Sequence, residues 1–423
     1  MGQIQARLLK GFRDFLPAEL WQRQFVIKTI SKIFEKYGYE PIETPALEYF
    51  DILMGKYGEQ EKLVYNFEDF GGRRIALKYD LTVPASRVMA QYQNQITLPW
   101  KRYQIQPVWR ADNTQRGRFR EFYQCDADIF GAKDMTADAE YIQMGIEILN
   151  TLGFKDFVVR LSNRKILNGI AKYLNADNQF LGLVYVIDDW DKRTLEENKV
   201  ELQKRGITDE NIDKLIKLMD LDIRELAEKL KDIPEAKEGI EEVLMIKKLV
   251  NDEKLVFDLT IARGLSYYTG PIWEWKIVEG NIGSVGGCGR YDKLVGSFTG
   301  MDIPATGGSF GLERILEVMK DRGMLPKIEN KIKVMVTIFN AELADESFKI
   351  ATELRNRGIE TLMYPSIKPL KKQFEYASKK NIPYVITIGE DEKSLGVYNI
   401  KDMKAQKQSV VMKDQLFEIL QNN

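Results

Sequence analysis

Residues 102–131, RYQIQPVWRADNTQRGRFREFYQCDADIFG, predict two antiparallel strands joined by a polar loop. The first strand ends at Trp109, and the loop 111–117 is rich in residues that form turns and closes on Gly117. The second strand, 119–130, is rich in aromatic side chains. A hairpin of this kind places the side chains of both strands on shared faces of one sheet.

Charged side chains are concentrated in this hairpin. Its arginines are Arg102, Arg110, Arg116, Arg118 and Arg120. Its acidic residues are Asp112, Glu121, Asp126 and Asp128. Guanidinium groups beside aromatic rings suit a bound nucleotide, because they offer charge to the phosphates and a face to the base. Spacing alone leaves a second interpretation open, an exposed hairpin held by ion pairs.

The composition of the 423 residues sets limits on function. The length predicts two or three domains, and the formal charge of −1 excludes a global basic field, so nucleic-acid contacts must come from local patches. Two cysteines, Cys125 and Cys288, are too few for a disulfide framework or a zinc cluster, and we expect no protein-bound metal site. The N-terminus lacks an apolar signal region and no run is long enough for a membrane helix, which predicts a cytoplasmic protein without membrane contacts.

The chain contains no histidine. This absence excludes a Ser-His-Asp triad, a histidine general base and histidine-ligated metals. The remaining chemistry must use arginine, carboxylates, tyrosine and backbone groups. Electrostatic stabilisation of a phosphoryl-type reaction fits these groups, because it requires positioning and neutralisation of charge.

Hydrophobic periodicity predicts an α+β chain with an insertion. Residues 18–37 have helical spacing, and 39–44 then indicate a strand. The stretch 191–250 is dense in Lys, Glu, Leu and Ile and predicts an inserted group of amphipathic helices. Residues 321–330 form the best candidate linker, and the chain beyond them predicts a compact α/β unit.

Glycines cluster at 286–289, GGCG, without completing a known phosphate loop. The cluster is not G-x-G-x-x-G, because Asp292 stands at the position of the last glycine, and G-x-x-x-x-G-K-[ST] is absent from the chain. Taken alone, the cluster is compatible with turns between antiparallel strands.

The hairpin sequence resembles motif 2 of the class II aminoacyl-tRNA synthetases, in the form found in the histidyl-tRNA synthetase family. Other segments resemble that family in the same order along the chain. They are KGFRDFLP (10–17), YGYEPIETP (37–45), IARGLSYYTG (261–270), GGCGRYDKLVG (286–296), GGSFGLERI (307–315) and LKKQFEYASKKNIPYVITIGEDE (370–392). The resemblance covers nearly the whole chain, and the ordered set is more specific than any single motif.

The resemblance implies a nucleotide site. It assigns Arg110 to the ATP α-phosphate, Asp112 to the adenine amino group, Phe122 to the adenine face and Arg314 to the γ-phosphate. Asp112 is shorter than the Glu common in relatives. The family's own signature arginine corresponds to Arg263, whose charge would stabilise the α-phosphate during attack. Arg110 and Arg263 are therefore the catalytic candidates.

The resemblance also implies a histidine site and a tRNA contact. Asp80, Thr82 and Gln124 match positions that hold the α-amino and carboxylate groups. Asp128, Tyr268 and Tyr291 match positions that hold the imidazole. Gln115 and Arg116, at the tip of the motif 2 loop, match positions near the tRNA acceptor end.

Together these matches imply an α+β class II architecture and a histidine-activating enzyme. Residues 1–325 would form an antiparallel-sheet catalytic domain with its helical insertion at about 191–250, and 331–423 an α/β anticodon-binding domain. The implied partners are ATP with Mg²⁺, L-histidine, tRNA(His) and a second copy of the chain. Two alternatives remain: a synthetase-like regulatory subunit of histidine biosynthesis that senses histidine without catalysis, and a class II synthetase for another amino acid.

Overall fold

The structure, a computed structural model, describes residues 4–262, 266–279, 282–327 and 331–422. The chain forms two compact units, Met1–Pro326 and Lys327–Asn423. The division falls inside the predicted linker 321–330. Among the described residues, the first unit has one hydrophobic core and the second has two smaller clusters, and no residue is shared between the units.

The described residues of the first unit form two sheets and twelve α-helices. Its elements before the insertion are α1 (Pro17–Lys36), β1 (Glu40–Pro41), β2 (Leu47–Tyr49), α2 (Phe50–Leu53), β3 (Asn66–Glu68), β4 (Arg74–Leu77), α3 (Thr82–Gln91), β5 (Trp100–Trp109), β6 (Glu121–Phe130), α4 (Met135–Thr151) and β7 (Phe157–Asn163). The helices that follow are α5 (Arg164–Tyr173), α6 (Phe180–Asp188), α7 (Leu195–Lys204), α8 (Asp209–Met219), α9 (Ile223–Lys229) and α10 (Pro234–Val250). The unit ends with β8 (Leu255–Phe257), β9 (Pro271–Ile277), β10 (Ser284–Arg290), α11 (Gly296–Thr299), β11 (Ala305–Gly311) and α12 (Leu312–Asp321).

An eight-stranded sheet dominates this unit, in the order β1-β5-β6-β11-β10-β9-β7-β8. The pairs inside the sheet are antiparallel, whereas the edge strands β1 and β8 pair in parallel with their neighbours. The predicted hairpin is present as β5 and β6, with Trp109 opposite Glu121 and Arg102 opposite Asp128. The α+β class and the antiparallel core of the sheet are confirmed.

The glycine cluster at 286–289 lies in the middle of this sheet. It forms most of β10, which pairs with β9 on one side and with β11 on the other. The interpretation of the cluster as turns is therefore wrong. Glycine is disfavoured in strands, so its use here indicates that close packing leaves no room for a side chain. A Cβ at Gly289 would stand 2.7 Å from the ring of Tyr268, and one at Gly286 would stand 3.0 Å from Trp275 and from the Ser309 carbonyl.

Helices cover one face of the large sheet. On α4, a Cβ at Gly145 would overlap the indole of Trp275, so this glycine lets the helix approach the sheet closely. The helices α1 and α12 are joined by a buried ion pair in which Arg23 Nη2 lies 2.8 Å from Glu313 Oε1. The other face of the sheet stays open toward the cavity described below.

The helical insertion is longer than the predicted 191–250. It begins with α5 directly after β7, because Asn163 caps α5 by accepting a hydrogen bond from the Lys165 backbone. Glycines bring α5 against α10: a Cβ at Gly169 would overlap Ala236. Hydrophobic periodicity predicted a start of the insertion at residue 191, which is too far along the chain. The reason is that α6, FLGLVYVID, is too uniformly apolar to show the polar face of an amphipathic helix.

The second unit contains a five-stranded sheet in the order β13-β12-β14-β15-β16. Its elements are β12 (Val334–Val336), α13 (Ala344–Asn356), β13 (Thr361–Met363), α14 (Leu370–Lys379), β14 (Tyr384–Thr387), α15 (Glu390–Leu395), β15 (Val397–Asp402), β16 (Lys407–Met412) and α16 (Lys413–Asn422). The predicted α/β alternation is confirmed through β14. The hairpin β15–β16 was not predicted, and it pairs antiparallel to the otherwise parallel strands.

No helix in the described part of the chain is long and apolar enough to cross a membrane. The longest helix, α1, has polar and charged residues throughout its 20 positions.

Candidate active site

A cavity of about 770 Å³ lies in the first unit, over the open face of the large sheet. Side chains alternate along a strand, so every second residue of β6 faces it. Phe122, Gln124 and Asp126 line the cavity in that order. Opposite them, Gly311 and Ser309 of β11 complete the floor.

Arg110 follows β5 directly and lines the cavity. Its Nε donates a hydrogen bond of 3.0 Å to the Tyr79 carbonyl. Its guanidinium lies 4.2 Å from the Tyr79 ring centroid and 5.2 Å from that of Phe122. Burial acts to lower the pKa of Arg110, but Tyr79, Asp80 and Asp112 outweigh it and raise that pKa. Arg110 is therefore a fixed positive charge with donors left to face a ligand.

The loop between β5 and β6 forms the rim beside Arg110. Gln115 and Arg118 exchange two backbone hydrogen bonds, of 3.2 and 2.9 Å, around Gly117, which has a left-handed φ of +68°. Asp112 lines the cavity, and its Oδ2 lies 3.7 Å from Arg118 Nε. Gln115 also lines the cavity, whereas Arg116 points away from it and is ion-paired with Asp321.

Arg314, in the first turn of α12, lines the same cavity. Its Nη1 donates to the carbonyl of Ser284 in β10. A Cβ at Gly117 would stand 3.4 Å from Arg314 Cγ, so the loop tip closes against this arginine. The predicted nucleotide residues Arg110, Phe122 and Arg314 thus face the same cavity.

Asp80 and Thr82 lie on the wall formed by the start of α3. Asp80 is buried, and its Oδ1 accepts hydrogen bonds from the Tyr57 hydroxyl at 3.1 Å and the Val83 amide at 3.0 Å. The Tyr267 hydroxyl lies 3.4 Å from its Oδ2. Burial raises the pKa of Asp80 above its ordinary value.

Asp128 and Tyr291 do not line the cavity. The Tyr291 hydroxyl donates to Asp128 Oδ1, and Arg102 forms an ion pair with Asp128 Oδ2. Both residues are fully buried behind the cavity wall. Burial raises the pKa of Tyr291 well above its ordinary value, so it remains a neutral hydrogen-bond donor. The structure therefore gives these two residues partners within the protein.

Tyr268 does line the cavity, beside Tyr267, with the two ring centroids 4.9 Å apart. Gly289 leaves room for the Tyr268 ring, as noted above. Arg263 lies outside the described residues. Ser266 donates a hydrogen bond of 3.0 Å to the Lys56 carbonyl.

Asp126 faces the cavity and was not among the predicted site residues. It is fully buried, and its Oδ1 lies 3.1 Å from Arg102 Nη2. Burial raises its pKa to about 7, although Arg102 and Thr82 act in the opposite direction. The period of two along β6 could have indicated Asp126, because it lies between the predicted residues Gln124 and Asp128.

The elevated pKa of Asp126 predicts a pH-dependent stability. Because the folded-state pKa of about 7 exceeds the ordinary value of 3.8, the folded protein retains a proton that the unfolded chain has lost between these pH values. Wild-type stability should therefore fall as pH rises through this window, relative to Asp126→Asn, which cannot ionise. As the pH rises, the free energy of unfolding of Asp126→Asn should gain on that of the wild type by about 1–4 kcal/mol. The difference should then level off above pH 7.

Urea unfolding of the wild type and Asp126→Asn at several pH values between 4 and 8 measures this difference, and other titrating groups largely cancel in it. A difference that stays constant over the whole range would contradict a buried, titrating Asp126.

Arg160 organises the far rim of the cavity. Its Nε donates to Asp258 Oδ2 at 2.5 Å, and its Nη2 lies 2.7 Å from Asp191 Oδ2. Its Nη1 lies 3.3 Å from Glu274 Oε1. This network connects the large sheet to the segment between α6 and α7, in which Asp191 lies.

A mostly antiparallel sheet carries this site, and arginines line its cavity where the sequence has no phosphate-loop motif. That combination is typical of the class II aminoacyl-tRNA synthetases. Residues 11–315 match the family model of histidyl-tRNA synthetase, and residues 333–423 match that of the anticodon binding domain. The chain belongs to the histidyl-tRNA synthetase family.

Individual relatives support this assignment. The histidine–tRNA ligase of Cytophaga hutchinsonii is 40% identical, over 97% of this chain and 98% of the relative. The crystal structure of histidyl-tRNA synthetase from Nostoc sp. PCC 7120 has a TM-score of 0.82 and 31% identity, and each chain is covered completely. A Bacillus halodurans structure, titled ATP phosphoribosyltransferase regulatory subunit/histidyl-tRNA synthetase, shares the fold at 20% identity, with a TM-score of 0.74 over 92% of this chain and 99% of that one.

Proposed function

We propose that this chain activates histidine with ATP and transfers the histidyl group to tRNA(His). In the first step, a carboxylate oxygen of histidine forms a bond to the α-phosphorus while the bond to pyrophosphate breaks. In the second, a hydroxyl of the terminal tRNA ribose attacks the histidyl carbonyl and releases AMP. The observation that carries the proposal is one cavity lined by Arg110 and Arg314 together with the acidic residues Asp80 and Asp126.

Arg110 suits the α-phosphate end of the reaction. Its guanidinium is fixed by the Tyr79 carbonyl, so the remaining N–H groups form a preorganised fork for phosphate and carboxylate oxygens. Preorganised donors stabilise the charge that develops during attack without reorganising at that moment. Phe122 offers a ring face for adenine, Arg314 a second charge for the γ-phosphate, and Asp112 an acceptor on the same rim.

The α-amino group of histidine requires acceptors, and Asp80, Thr82 and Gln124 line the adjacent wall. Tyr268 closes the end of the cavity where the ring would lie. Arg263 belongs to this site by its match to the family signature. We assign it the role of stabilising the negative charge that develops at the α-phosphate.

Mg²⁺ would arrive with ATP. In the described residues, no three Asp, Glu or Cys side chains are arranged to hold a metal ion. This suits Mg²⁺, which keeps several waters and is bound mainly through substrate phosphates with one or two carboxylates. Glu274 and Asp188 line the cavity and are the carboxylates that would hold it. The ion would neutralise phosphate charge.

For tRNA, we propose two contact regions. Gln115 and Arg116 at the motif 2 loop would meet the backbone of the acceptor end, where contacts position a strand without reading its sequence. Residues 331–423, which lie within the second unit, would bind the anticodon. A tRNA-charging enzyme works where translation occurs, which supports a cytoplasmic location.

We also propose a homodimer. Three large apolar side chains on α1 are partly exposed: Leu20 at 41%, Trp21 at 37% and Phe25 at 44%. Further exposed apolar residues, Leu47 and Tyr49, lie on β2. A second copy of the chain would remove such surface from water. Light scattering should give twice the mass of 48.9 kDa, and a monomer at micromolar concentration would contradict the dimer.

The test of function is pyrophosphate exchange into ATP in the presence of each amino acid. We expect exchange with histidine alone, followed by charging of tRNA(His) on addition of tRNA. Exchange with a different amino acid would indicate another synthetase. Histidine binding without exchange would indicate the regulatory alternative, which Arg110 and Arg314 at the cavity already disfavour, because a sensor of histidine needs no phosphate-binding arginines.

Removing the second unit should separate the two steps. Residues 1–326 contain the whole cavity and form a compact unit. We expect this fragment to retain histidine-dependent exchange within a few-fold, while charging of tRNA(His) falls by an order of magnitude or more.

Circular dichroism and the exchange assay itself control for folding of the fragment. A folded fragment that charges tRNA(His) as well as the full chain would contradict the anticodon role of residues 331–423.

A further inference from the structure

Two arginines, Arg160 on β7 and Arg164 at the start of α5, contact both ends of one segment of the cavity wall. That segment, residues 261–270, resembles the family's histidine-specific signature and is called the signature segment below. It follows β8 and precedes β9. Its cavity-lining residues include Ile261, Tyr267 and Tyr268. The placement of these side chains therefore depends on how the two ends of the segment are held.

Arg160 bonds to residues on both sides of the signature segment. Before the segment, its Nε donates to Asp258 Oδ2 at 2.5 Å and its Nη2 donates to Thr260 Oγ1 at 2.6 Å. After the segment, its Nη1 lies 3.3 Å from Glu274 Oε1 in β9. Asp258 Oδ1 in turn accepts the Thr260 amide at 3.0 Å. A guanidinium presents five donors in a rigid fork, so this one side chain fixes several acceptors relative to one another.

Arg164 holds the signature segment through backbone groups at its two ends. Its Nη1 donates to the Ala262 carbonyl at 3.0 Å, and its own amide donates to the Gly270 carbonyl at 2.8 Å. The side chain of Arg164 is buried, and a hydrogen bond is electrostatically stronger in such surroundings than in water. Together, Arg160 and Arg164 attach 258–262 and 270–274 to the junction of β7 and α5, and we call this pair the arginine clamp.

The helical insertion reaches the arginine clamp at two points on either side of α6. Arg164 lies 5.1 Å from the ring centroid of Phe180, the first residue of α6, which is within the range of a cation–π contact. Arg160 Nη2 donates at 2.7 Å to Oδ2 of Asp191, which lies between α6 and α7. The clamp therefore joins the insertion to the signature segment.

We infer, building on the histidine activation proposed above, that Arg160 and Arg164 are positioning residues for that step and that Asp191 couples their clamp to the insertion. Both arginines act through the signature segment, which carries Arg263 and Tyr268. Reacting groups must be held close to their productive geometry, and a displacement of about 1 Å caused away from the chemistry can cost about 10²-fold in rate. A shift of the insertion, transmitted by Asp191, would change the rate of activation in this way.

Asp191→Asn in the full-length protein tests the coupling. The Asp191 side chain is 51% exposed, so its ion pair contributes little to stability and the variant should fold normally. We expect kcat for histidine-dependent pyrophosphate exchange to fall about 3–10-fold. The KM values for ATP and histidine should stay within about twofold, because the ground-state contacts are unchanged.

The matched control is Glu210→Gln on α8, in the same insertion. Glu210 forms an exposed ion pair with Lys214 at 2.7 Å, the same distance that separates Asp191 from Arg160. The control should leave kcat unchanged. A fall of the same size in Glu210→Gln, or an effect of Asp191→Asn on KM alone, would overturn the coupling.

Arg160→Met tests the clamp itself. We expect kcat to fall by about 10²-fold, because both ends of the signature segment lose an attachment. The double variant with Asp191→Asn should be no slower than Arg160→Met alone, since Asp191 acts through Arg160. Losses that multiply in the double variant would show that Asp191 acts by another route and would overturn the coupling.

Deuterium uptake measures the positioning without any assay of activity. Amides of 258–262 should take up deuterium faster in Asp191→Asn than in the wild type, because the Thr260 amide is held by Asp258 and hence by Arg160. Glu210→Gln should match the wild type. Unchanged uptake in Asp191→Asn would overturn the inference. A wild type without histidine-dependent pyrophosphate exchange would instead contradict the proposed activity, and the uptake comparison would then decide the clamp alone.

Discussion

Replacement of Arg110 by alanine is expected to lower histidine-dependent pyrophosphate exchange by about 10²–10³-fold, the typical cost of one preorganised donor at a developing charge. The guanidinium is fixed by the Tyr79 carbonyl and lies between the Tyr79 and Phe122 rings. Lysine at this position should recover only part of the loss, because an ammonium lacks the planar fork that binds two oxygens together.

The matched control for Arg110 is Arg224→Ala, which removes an exposed arginine at the first turn of α9, away from the cavity. It should leave exchange unchanged. Folding of both variants is checked by urea unfolding. Exchange by Arg110→Ala within a few-fold of the wild type would show that the cavity is not the nucleotide site, or that Arg110 does not touch the phosphate.

Replacement of Arg263 by alanine should have an effect of the same size, about 10²–10³-fold. The described residues on both sides of this position belong to the cavity: Ile261 precedes it, and Tyr267 and Tyr268 follow it. The Ala262 carbonyl is held by Arg164 Nη1 at 3.0 Å, so the chain enters the signature segment from a fixed point.

The kinetic pattern distinguishes the role of Arg263 from simple binding. If its charge acts only as the carboxylate attacks, kcat falls while the KM for ATP and for histidine stays within a few-fold. A variant with normal kcat and a raised KM would contradict a transition-state role and assign Arg263 to ground-state binding.

Local patterns were sufficient to predict the hairpin β5–β6, α1 and the start of the second unit. Each of these elements has a clear hydrophobic periodicity and turn-forming residues at its end, so a short stretch of sequence is enough to predict it. The strand β10 could not be found this way, because Gly286, Gly287 and Gly289 have low strand propensity. Tertiary packing explains why glycines stand here, since the space beside Gly289 is occupied by the ring of Tyr268, from another segment of the chain.

The site was predicted less completely than the fold. Motif matching brought Arg110, Phe122 and Arg314 to one cavity, as the structure shows. It could not show that Asp128 is engaged by Arg102 and Tyr291, because that depends on which buried groups pair with one another. Asp126 was not predicted for the same reason: it shares the buried Arg102 with Asp128, and a sequence does not show which buried groups pair with one another.

A cavity formed entirely without imidazole side chains makes its proposed substrate easy to observe. Every imidazole resonance from a solution of this 423-residue chain and histidine belongs to the amino acid, since the protein contributes none. Nitrogen-labelled histidine would report its own tautomer and protonation in nuclear magnetic resonance spectra, free of overlapping protein signals. The bound ring is thus a built-in spectroscopic reporter of the charges that surround it.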